Sequence, residues 1–341
     1  MKQGVCPICG KDNNCASIRN LDHSDCWCNS VKFQKDILEY IPEKLRGISC
    51  VCIACNSKYQ NKKELTKPYD FHVHTTASDG TFTPSEVVIK AKLKELLGVA
   101  ITDHDTVDGL KEAIEKGREL GIEVIPGIEF STNLYGKDVH ILGYFLNLED
   151  EKFNLEVEGL KKVREERNLK ILEKLKSRRI IITEEDIKKE ALGNIVSKLH
   201  IANALINKGY AYSKAEAFRN YLGEYGIAYV AKENFSPQMA VKILKSNGAK
   251  ISLAHPLLIT KSIKELERLI VELKELGLEG LETEYPTFTG VEKKQLRELA
   301  KKHNLFCTGG SDFHGENREE IDIGFDGITY SQFDFMKNGG K

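Results

Sequence analysis

Short apolar runs, each bounded by turn residues, recur along this 341-residue chain from about position 69 to position 311. Runs of this length are typical of buried strands. The predicted strands lie around Phe71 and at 98–102, 123–128, 139–145, 250–254 and 305–311. Helical patterns separate several of them, as at Pro84–Leu97 and Gly109–Leu120. Alternating strands and helices predict an α/β fold with a parallel sheet and helical crossovers.

The alternation of predicted strands and helices is interrupted between Asp150 and about Gly248. Leu155–Leu175 is a long charged pattern with apolar residues at helical spacing, and shorter helical patterns follow around residues 183–186 and 200–205. We therefore predict a helical insertion at 150–248 between two parts of a barrel core, at 69–149 and 249–330. Insertions of this kind commonly cover an active site as a lid. A bystander subdomain is the alternative interpretation.

Net charge and hydropathy give no general signal for a nucleic-acid or membrane partner. Lys and Arg number 50 and Asp and Glu number 51, so the net charge of −1 creates no global field that favours nucleic acid or membranes. The chain has no run of about 18 apolar residues, so no membrane span is predicted. Its first residues lack the apolar core of a signal peptide, and we expect a cytoplasmic location.

Eight of the nine cysteines fall before residue 56. They are Cys6, Cys9, Cys15, Cys26, Cys28, Cys50, Cys52 and Cys55. In a reducing compartment, thiols clustered in this way favour a metal site over a disulfide framework. The two C-x-x-C pairs have the spacing that lets two thiolates share one tetrahedral ion. We predict a module at 1–60 that holds one or two Zn²⁺, followed by a polar linker at 61–68; disulfides and free thiols are the alternatives.

Histidines and carboxylates follow the apolar runs, where the strands are predicted to end. In parallel barrels, the catalytic residues lie at this end of the strands. His72 and His74 are two apart, so on a strand they point to the same face. The metal-ligand candidates are His72, His74, Asp79, His104, Glu129, His140, His255, Asp312 and His314, with Asp103 and Asp105 beside His104. Imidazoles mixed with carboxylates suit Mn²⁺, Fe²⁺ or Zn²⁺ better than Mg²⁺.

Arg164, Arg167 and Asn168 share one face of the long helical pattern. The planar guanidinium suits phosphate oxygens. The intervening Glu165–Glu166 pair is equally typical of an ordinary solvated helix. Farther along, His200 is a candidate helix cap, core histidine or substrate contact.

Five motifs occur in order: Phe71-His72-Val73-His74-Thr75 with Ser78-Asp79-Gly80, Thr102–Thr106, Pro126–Glu129, Ala254-His255-Pro256 and Gly310–Gly315. From about Tyr69 to Gly315 they resemble the PHP (polymerase and histidinol phosphatase) superfamily. With its helical insertion and His200 region, the chain looks most like the branch of 3′,5′-nucleoside bisphosphate phosphatases and the 5′→3′ exoribonuclease RNase AM. The segment Gly4–Asn56, with Cys26-Trp27-Cys28, is similar to the cysteine-rich CWC domain.

This resemblance implies a distorted (β/α)7 barrel with a site for three divalent transition metals. It assigns one ion to His72, His74, Glu129 and Asp312. It assigns a second ion to Glu129, His140 and His255, with Glu129 bridging, and a third to Asp79, His104 and His314.

The expected enzyme is a metal-dependent phosphoesterase. It would hydrolyse a phosphate monoester of a small nucleotide, such as a 3′,5′-nucleoside bisphosphate, and/or release nucleotides from the 5′ end of short RNA. A metal-activated hydroxide would attack phosphorus, with Asp103 and Asp105 orienting His104 or the nucleophile; loop capping is the other role for Asp105. Arg164 and Arg167 would bind a second phosphate.

Two alternatives stay open from the sequence. One is a sugar-phosphate or amino-alcohol-phosphate phosphatase similar to histidinol phosphatase. The other is a nucleic-acid-binding protein, in which the cysteine module binds RNA or a protein partner and the PHP core is structural.

Overall fold

The computed structural model describes residues 4–8, 11–19, 22, 26–31, 37, 41, 46–47, 49–60, 67–191, 193, 195–231 and 235–338. Cys9 and most of the predicted linker, 61–66, lie outside these residues. The chain divides into two compact units: a small unit of Met1–Tyr69 with Ile328–Lys341, and a core unit of Asp70–Gly327. Within the described ranges, no helix has the length and hydropathy that a membrane span requires.

A single seven-stranded sheet follows the order of the chain. Its strands are β1 (Tyr69–Val73), β2 (Gly98–Ile101), β3 (Glu123–Leu134), β4 (Lys137–Tyr144), β5 (Lys250–Leu253), β6 (Gly280–Glu284) and β7 (Phe306–Gly309). The segment after β7 returns to β1: the Asp312 N–H donates to the His72 carbonyl at 2.8 Å, and the His74 N–H donates to the Phe313 carbonyl at 3.0 Å. The sheet is thereby a nearly closed barrel, which confirms the predicted distorted (β/α)7 architecture.

The prediction of a parallel sheet is wrong at β4, which runs antiparallel to both β3 and β5. Only Tyr135 and Gly136 separate β3 from β4, and both have positive φ, 52° and 85°. A two-residue turn with this geometry makes a hairpin, whereas a parallel connection needs about a dozen residues or more. The sequence pattern also missed β6, because its two buried glutamates interrupt the apolar run.

The described part of the chain contains twelve α-helices. They are α1 (Ile53–Gln60), α2 (Pro84–Leu93), α3 (Leu110–Leu120), α4 (Glu151–Ser177), α5 (Glu184–Glu190), α6 (Lys198–Asn207), α7 (Lys214–Ala217), α8 (Pro237–Asn247), α9 (Pro256–Ile259), α10 (Ile263–Leu276), α11 (Gly290–Lys302) and α12 (Tyr330–Asn338). α2 begins at a capping box formed by Thr83 and Glu86. It ends before the predicted Leu97, since Glu95 adopts a left-handed φ of 59°.

Helices α4 to α8 fill the stretch between β4 and β5, where the sequence pattern indicated helices. α4 starts after Asp150, whose side chain accepts a hydrogen bond from the Phe153 backbone N–H. An apolar core forms among α4, α6 and the turn that follows α7, with Ile171, Leu205 and Leu222 fully buried. α8 lies within the predicted insertion range but packs against β3, β4 and β5.

The small unit brings the two ends of its sequence together. The Ile328 backbone N–H donates to the Tyr69 carbonyl at 2.9 Å. The Tyr69 ring stacks on Phe333 of α12, with ring centroids 4.2 Å apart. The first residue of β1 and the C-terminal helix α12 therefore pack together within the small unit.

Candidate metal centres

The metal-ligand candidates of the core unit converge at the end of the barrel where the parallel strands finish. Glu129 lies within β3, whereas His104, His255 and Asp312 shortly follow β2, β5 and β7. His140 reaches the same edge by a different route. Because β4 is antiparallel, its first residues lie where β3 ends, and His140 pairs with Ser131.

His72, His74, Glu129 and Asp312 form the most deeply buried group of candidate ligands. Nε2 of His72 lies 3.3 Å from Oε2 of Glu129 and 3.3 Å from Oδ1 of Asp312. Nε2 of His74 lies 3.2 Å from each of the same oxygens. Four ligands at about 2.1 Å from a tetrahedral ion are about 3.4 Å apart. The spacing of the four atoms therefore fits one cation.

Three of these ligand atoms form no hydrogen bond within the described part of the protein. His72 Nε2, His74 Nε2 and Glu129 Oε2 are buried and have no hydrogen-bond partner among the residues that the structure describes. An unsatisfied buried polar atom typically costs about 1–3 kcal/mol. Coordination of a metal ion would satisfy all three, so the residues present fit a bound metal.

Glu129 is the centre of the whole cluster. Its Oε2 faces the first group and also lies 3.0 Å from Nδ1 of His104. Its Oε1 lies 3.0 Å from Nδ1 of His140 and 3.0 Å from Nε2 of His255. One carboxylate thus presents each oxygen to a different set of imidazoles, which is the geometry of a bridging ligand.

A further group contains His74, Asp79, His104 and His314. Nε2 of His314 lies 3.3 Å from Oδ1 of Asp79, and the His74 and His314 rings stack with centroids 4.1 Å apart. The resemblance assigned Asp79, His104 and His314 to one ion. The structure brings these three together and adds His74 beside them.

Burial and neighbouring charges shift the pKa values of these ligand candidates in opposite directions. Burial alone would raise the pKa of Glu129, but the charge of the nearby His72 imidazole holds it well below its usual range. Burial lowers the pKa of His104 to about 3, which keeps this ring neutral. Burial alone would also lower the pKa of His74, but Asp312 and Glu129 raise it to about 10. A bound cation would replace that proton as the charge that balances the carboxylates.

Asp103, a predicted orienting residue, faces the loop after β1. Its oxygens accept hydrogen bonds from the backbone N–H and the hydroxyl of Thr75, at 2.7 and 2.8 Å, and from the hydroxyl of Ser78 at 2.6 Å. The described contacts of Asp103 therefore stabilise the segment between His74 and Asp79.

Asp105 connects the cluster to α4. One oxygen accepts a hydrogen bond from the Ser131 backbone N–H at 2.8 Å, and the other pairs with the Arg164 guanidinium. The Ser131 hydroxyl lies 3.2 Å from Arg164 Nη2 and 3.2 Å from His104 Nδ1. Arg164 is thus held beside a candidate ligand rather than in solvent.

A cavity of about 220 Å³ lies between α4 and the segment around Val230. Its lining includes the cationic side chains of Arg164, Arg167 and Lys170 and the apolar side chains of Leu160, Val163 and Val230. Asp105 and Ser131 line it as well. Since Ser131 also contacts His104, the cavity reaches the metal-ligand cluster.

The other predicted substrate-binding residues of this region, Arg167, Asn168 and His200, form different hydrogen bonds. Arg167 is buried; its Nε donates to the Val230 carbonyl at 3.1 Å, while Nη2 has no hydrogen-bond partner in the described part of the chain. The Asn168 amide donates to the Val196 carbonyl at 2.8 Å. His200 accepts a hydrogen bond from the Ser197 N–H at 3.2 Å and completes the capping box of α6.

Sequence reasoning missed three side chains that contact His72 or Asp312 through side-chain atoms that face away from the cluster. Glu282, fully buried in β6, has Oε1 2.9 Å from Nδ1 of His72. The Tyr285 hydroxyl donates to Oδ2 of Asp312 at 2.7 Å, and Arg318 Nη1 donates to the same oxygen at 2.7 Å. An acidic residue inside a strand is the signal that could have found Glu282.

The model of the PHP domain family matches residues 70–277, which include most of the cluster and the whole helical stretch. The chain belongs to the PHP domain family. A 5′-3′ exoribonuclease of Haemophilus influenzae is 34% identical to it over 250 residues, covering 73% of this chain and 91% of the relative. A 3′,5′-nucleoside bisphosphate phosphatase of Chromobacterium violaceum is 28% identical, covering 75% and 90%.

The fold comparison agrees with the sequence comparison. A solved structure from Bifidobacterium adolescentis, classed as a metal-dependent phosphoesterase, superposes with a TM-score of 0.71 at 26% identity and covers 79% of this chain and 94% of that one. This PHP protein is therefore an enzyme, a hydrolase of the phosphoesterase class, and its His, Asp and Glu cluster is a metal site.

The small unit of this PHP enzyme holds a first group of thiols. Sγ atoms of Cys6, Cys52 and Cys55 lie within 4.8 Å of one another, and all three residues are buried. Sγ of Cys52 also accepts a hydrogen bond from the Cys55 backbone N–H at 3.4 Å. The cysteine-rich CWC family model matches residues 6–57.

A second group of thiols is separate from the first. Cys15 and Cys26 are buried in one apolar cluster, and the Cys26 and Cys28 sulfurs are 3.2 Å apart. The Cys26 thiol and burial raise the pKa of Cys28 to about 11. Burial and the charge of Cys15 also raise the pKa of Cys50, which places this fourth thiol near the same group.

Proposed function

We propose that this PHP enzyme hydrolyses phosphate esters of nucleotides that carry a second phosphate. The substrate is a 3′,5′-nucleoside bisphosphate and/or the 5′-terminal part of a short RNA. The observation that carries this proposal is the arginine-lined cavity of α4, which adjoins the metal-ligand cluster because its lining residue Ser131 contacts His104. The activities named for the two relatives, on RNA and on bisphosphates, support the same substrate class.

The proposed metal site holds three divalent transition-metal ions, Mn²⁺, Fe²⁺ or Zn²⁺. We assign the ligand sets as His72, His74, Glu129 and Asp312 for the first ion, Glu129, His140 and His255 for the second, and Asp79, His104 and His314 for the third. When bound, such ions polarise the phosphate ester and lower the pKa of water. The two oxygens of Glu129, each facing different imidazoles, support a bridging role.

The exposure of the ligands indicates the side from which substrate approaches. The side chains of His72 and His74 have no exposed surface, whereas those of His104 and His140 are 13% and 17% exposed. The His314 side chain is also 13% exposed, so the scissile phosphate binds on the side of His104, His140 and His314. Arg164 lies next to His104 through Ser131, so a second phosphate on the same molecule enters the cavity of α4.

In this arrangement Arg164 and Arg167 have different tasks. Arg164, which lines the cavity, is oriented by its ion pair with Asp105. Arg167 is anchored through Nε, and its buried Nη2, which has no hydrogen-bond partner among the described residues, is the group proposed to bind an anion. A preoriented planar fork binds phosphate oxygens more strongly than a flexible ammonium. Asn168 and His200, by contrast, do not line this cavity and form hydrogen bonds with Val196 and Ser197.

Activity measurements on a substrate panel test this function. Purified protein, first freed of metal with a chelator and then reloaded with Mn²⁺, is offered a 3′,5′-bisphosphate, a short 5′-phosphorylated RNA, a cyclic phosphodiester and histidinol phosphate. We expect no hydrolysis before reloading, three bound metal equivalents in the core unit after it, and the highest kcat/KM on the first two compounds. A clear preference for histidinol phosphate would favour the sugar-phosphate or amino-alcohol-phosphate alternative. Full activity without metal would contradict the proposal.

We also propose that the small unit binds Zn²⁺ through two separate thiol groups. Cys6, Cys52 and Cys55 contribute to one site, and Cys15, Cys26, Cys28 and Cys50 to the other. In a mercurial titration of the Mn²⁺-loaded protein, two zinc equivalents should be released from the wild type. Cys26→Ser, Cys52→Ser and the double variant Cys26→Ser/Cys28→Ser should each release one, and Cys26→Ser/Cys52→Ser should release none.

Cys307→Ser is the matched control for the zinc titration, because its thiol lies in the core unit. It should release two equivalents, and all these variants should hydrolyse a small nucleotide at the wild-type rate. Loss of both zinc equivalents from a single variant would indicate one shared cluster. Recovery of oxidised cysteine pairs by mass spectrometry would favour disulfides.

A further inference from the structure

We infer that Glu282 is a positioning residue for the metal site: it sets the tautomer of His72 and the backbone turn at His255. Glu282 lies in β6, and its side chain has no exposed surface. Its two oxygens contact two different elements, β1 and the turn after β5. The inference rests on the metal site proposed above and adds a residue outside its ligand sets.

The first contact defines which nitrogen of His72 can bind a metal. Oε1 of Glu282 lies 2.9 Å from Nδ1 of His72. A carboxylate only accepts hydrogen bonds, so Nδ1 carries the proton. In a neutral imidazole, Nε2 then keeps its lone pair. That is the atom that faces Glu129 and Asp312 and has no hydrogen-bond partner among the described residues.

The second contact holds an unusual turn. His255 has φ 25° and ψ 58°, outside the conformations that residues with a β-carbon usually adopt. Its backbone N–H donates to Oε2 of Glu282 at 2.6 Å. This conformation directs Nε2 of His255 to within 3.0 Å of Glu129. Glu282 thus stabilises a strained backbone that brings a ligand into the cluster.

The two contacts together require a carboxylate at this position. Both partners are donors: the Nδ1–H of His72 and the backbone N–H of His255. Glutamine has the same shape but only one acceptor oxygen. Since the backbone N–H cannot change, the amide oxygen of a Glu282→Gln variant would turn to His255. Its NH₂ group would then face Nδ1 of His72 and favour the tautomer with the proton on Nε2, where the metal should bind.

The test is a Mn²⁺ titration of metal-free protein, with free Mn²⁺ measured by electron paramagnetic resonance. Thiolates bind Mn²⁺ poorly, so the titration reports the His and carboxylate site. We expect Glu282→Gln to weaken Mn²⁺ binding by about ten- to a hundred-fold, the usual effect of removing such a partner of a metal ligand. Hydrolysis should recover most of its rate when Mn²⁺ is raised to saturate the weakened site.

Glu284→Gln is the matched control, two residues along the same strand. Glu284 is also buried, but it pairs with Arg297 instead of a ligand. It should bind Mn²⁺ like the wild type, even if its thermal stability falls. If Glu282→Gln fails to fold, Glu282→Asp keeps both acceptor oxygens on a shorter side chain and should still weaken Mn²⁺ binding.

The outcomes separate this inference from the proposed function. A wild-type protein that binds no Mn²⁺ would overturn the proposed metal site itself. Wild-type binding with equal affinity in Glu282→Gln, or equal weakening in Glu284→Gln, would overturn only the role of Glu282. A loss of thermal stability without a change in Mn²⁺ affinity would show that Glu282 contributes to stability only and does not position the metal ligands.

Discussion

Glu129→Gln is expected to abolish hydrolysis and to remove more than one metal ion from the core unit. The carboxylate faces five imidazoles, three through Oε2 and two through Oε1. The amide of glutamine would replace one of these oxygens with a donor and remove the negative charge. Metal-assisted charge stabilisation is worth several kcal/mol, so we expect kcat/KM to fall by about a thousand-fold or more.

Elemental analysis and kinetics measured on the same protein samples check the Glu129 prediction. Glu123→Gln is the control, because it changes a glutamate at the opposite end of the same strand. It should keep the wild-type metal content and rate. An active Glu129→Gln enzyme with a full metal complement would exclude a bridging role for this carboxylate.

Arg167→Ala is expected to reduce kcat/KM for a 3′,5′-bisphosphate about ten- to a hundred-fold, mainly through KM. Loss of a charge-assisted hydrogen bond typically costs about 1.5–3 kcal/mol, which corresponds to this range. A nucleoside monophosphate never engages the cavity of α4, so its hydrolysis should change much less. Metal content should stay at the wild-type level, since Arg167 contacts the Val230 carbonyl and no ligand candidate in the structure.

Arg178→Ala is the control for the arginine experiment, because Arg178 is an exposed residue at the end of the same helix. It should leave both substrates unaffected. Arg164→Ala should reduce the bisphosphate rate as well, but it also leaves the buried carboxylate of Asp105 without its partner, so Arg167 gives the cleaner measurement. Equal losses on bisphosphate and monophosphate would contradict a clamp for the second phosphate.

Local sequence signals predicted much of the barrel. The apolar runs before His104, Glu129 and His255 are strands β2, β3 and β5, because buried strands need continuous apolar residues. The predicted start of α2 at Pro84 also agrees with the structure, because Thr83 and Glu86 form a capping box there. The spacing of His72 and His74 also indicated two imidazoles on one face, and His72 in β1 and His74 just after it do belong to one group of candidate ligands.

The missed elements depend on interactions that local patterns do not report. β6 contains the two buried glutamates Glu282 and Glu284, and charged residues in a strand give it the sequence pattern of a surface segment. The orientation of β4 depends on the turn at Tyr135 and Gly136, which is too short for a parallel crossover. That orientation brings His140, from inside an apolar run rather than after it, to the end of the barrel where the other candidates lie.

The sequence by itself determined the PHP signature, the kinds of side chain available for metal and thiol sites, and the helical stretch between β4 and β5. Only the tertiary structure decided which atoms meet: both oxygens of Glu129 among five imidazoles, Glu282 behind His72, and Arg164 against Asp105. The physical reason is that these contacts join residues from different strands and helices. Their distances depend on barrel closure and strand direction, which are properties of the whole chain rather than of any one segment.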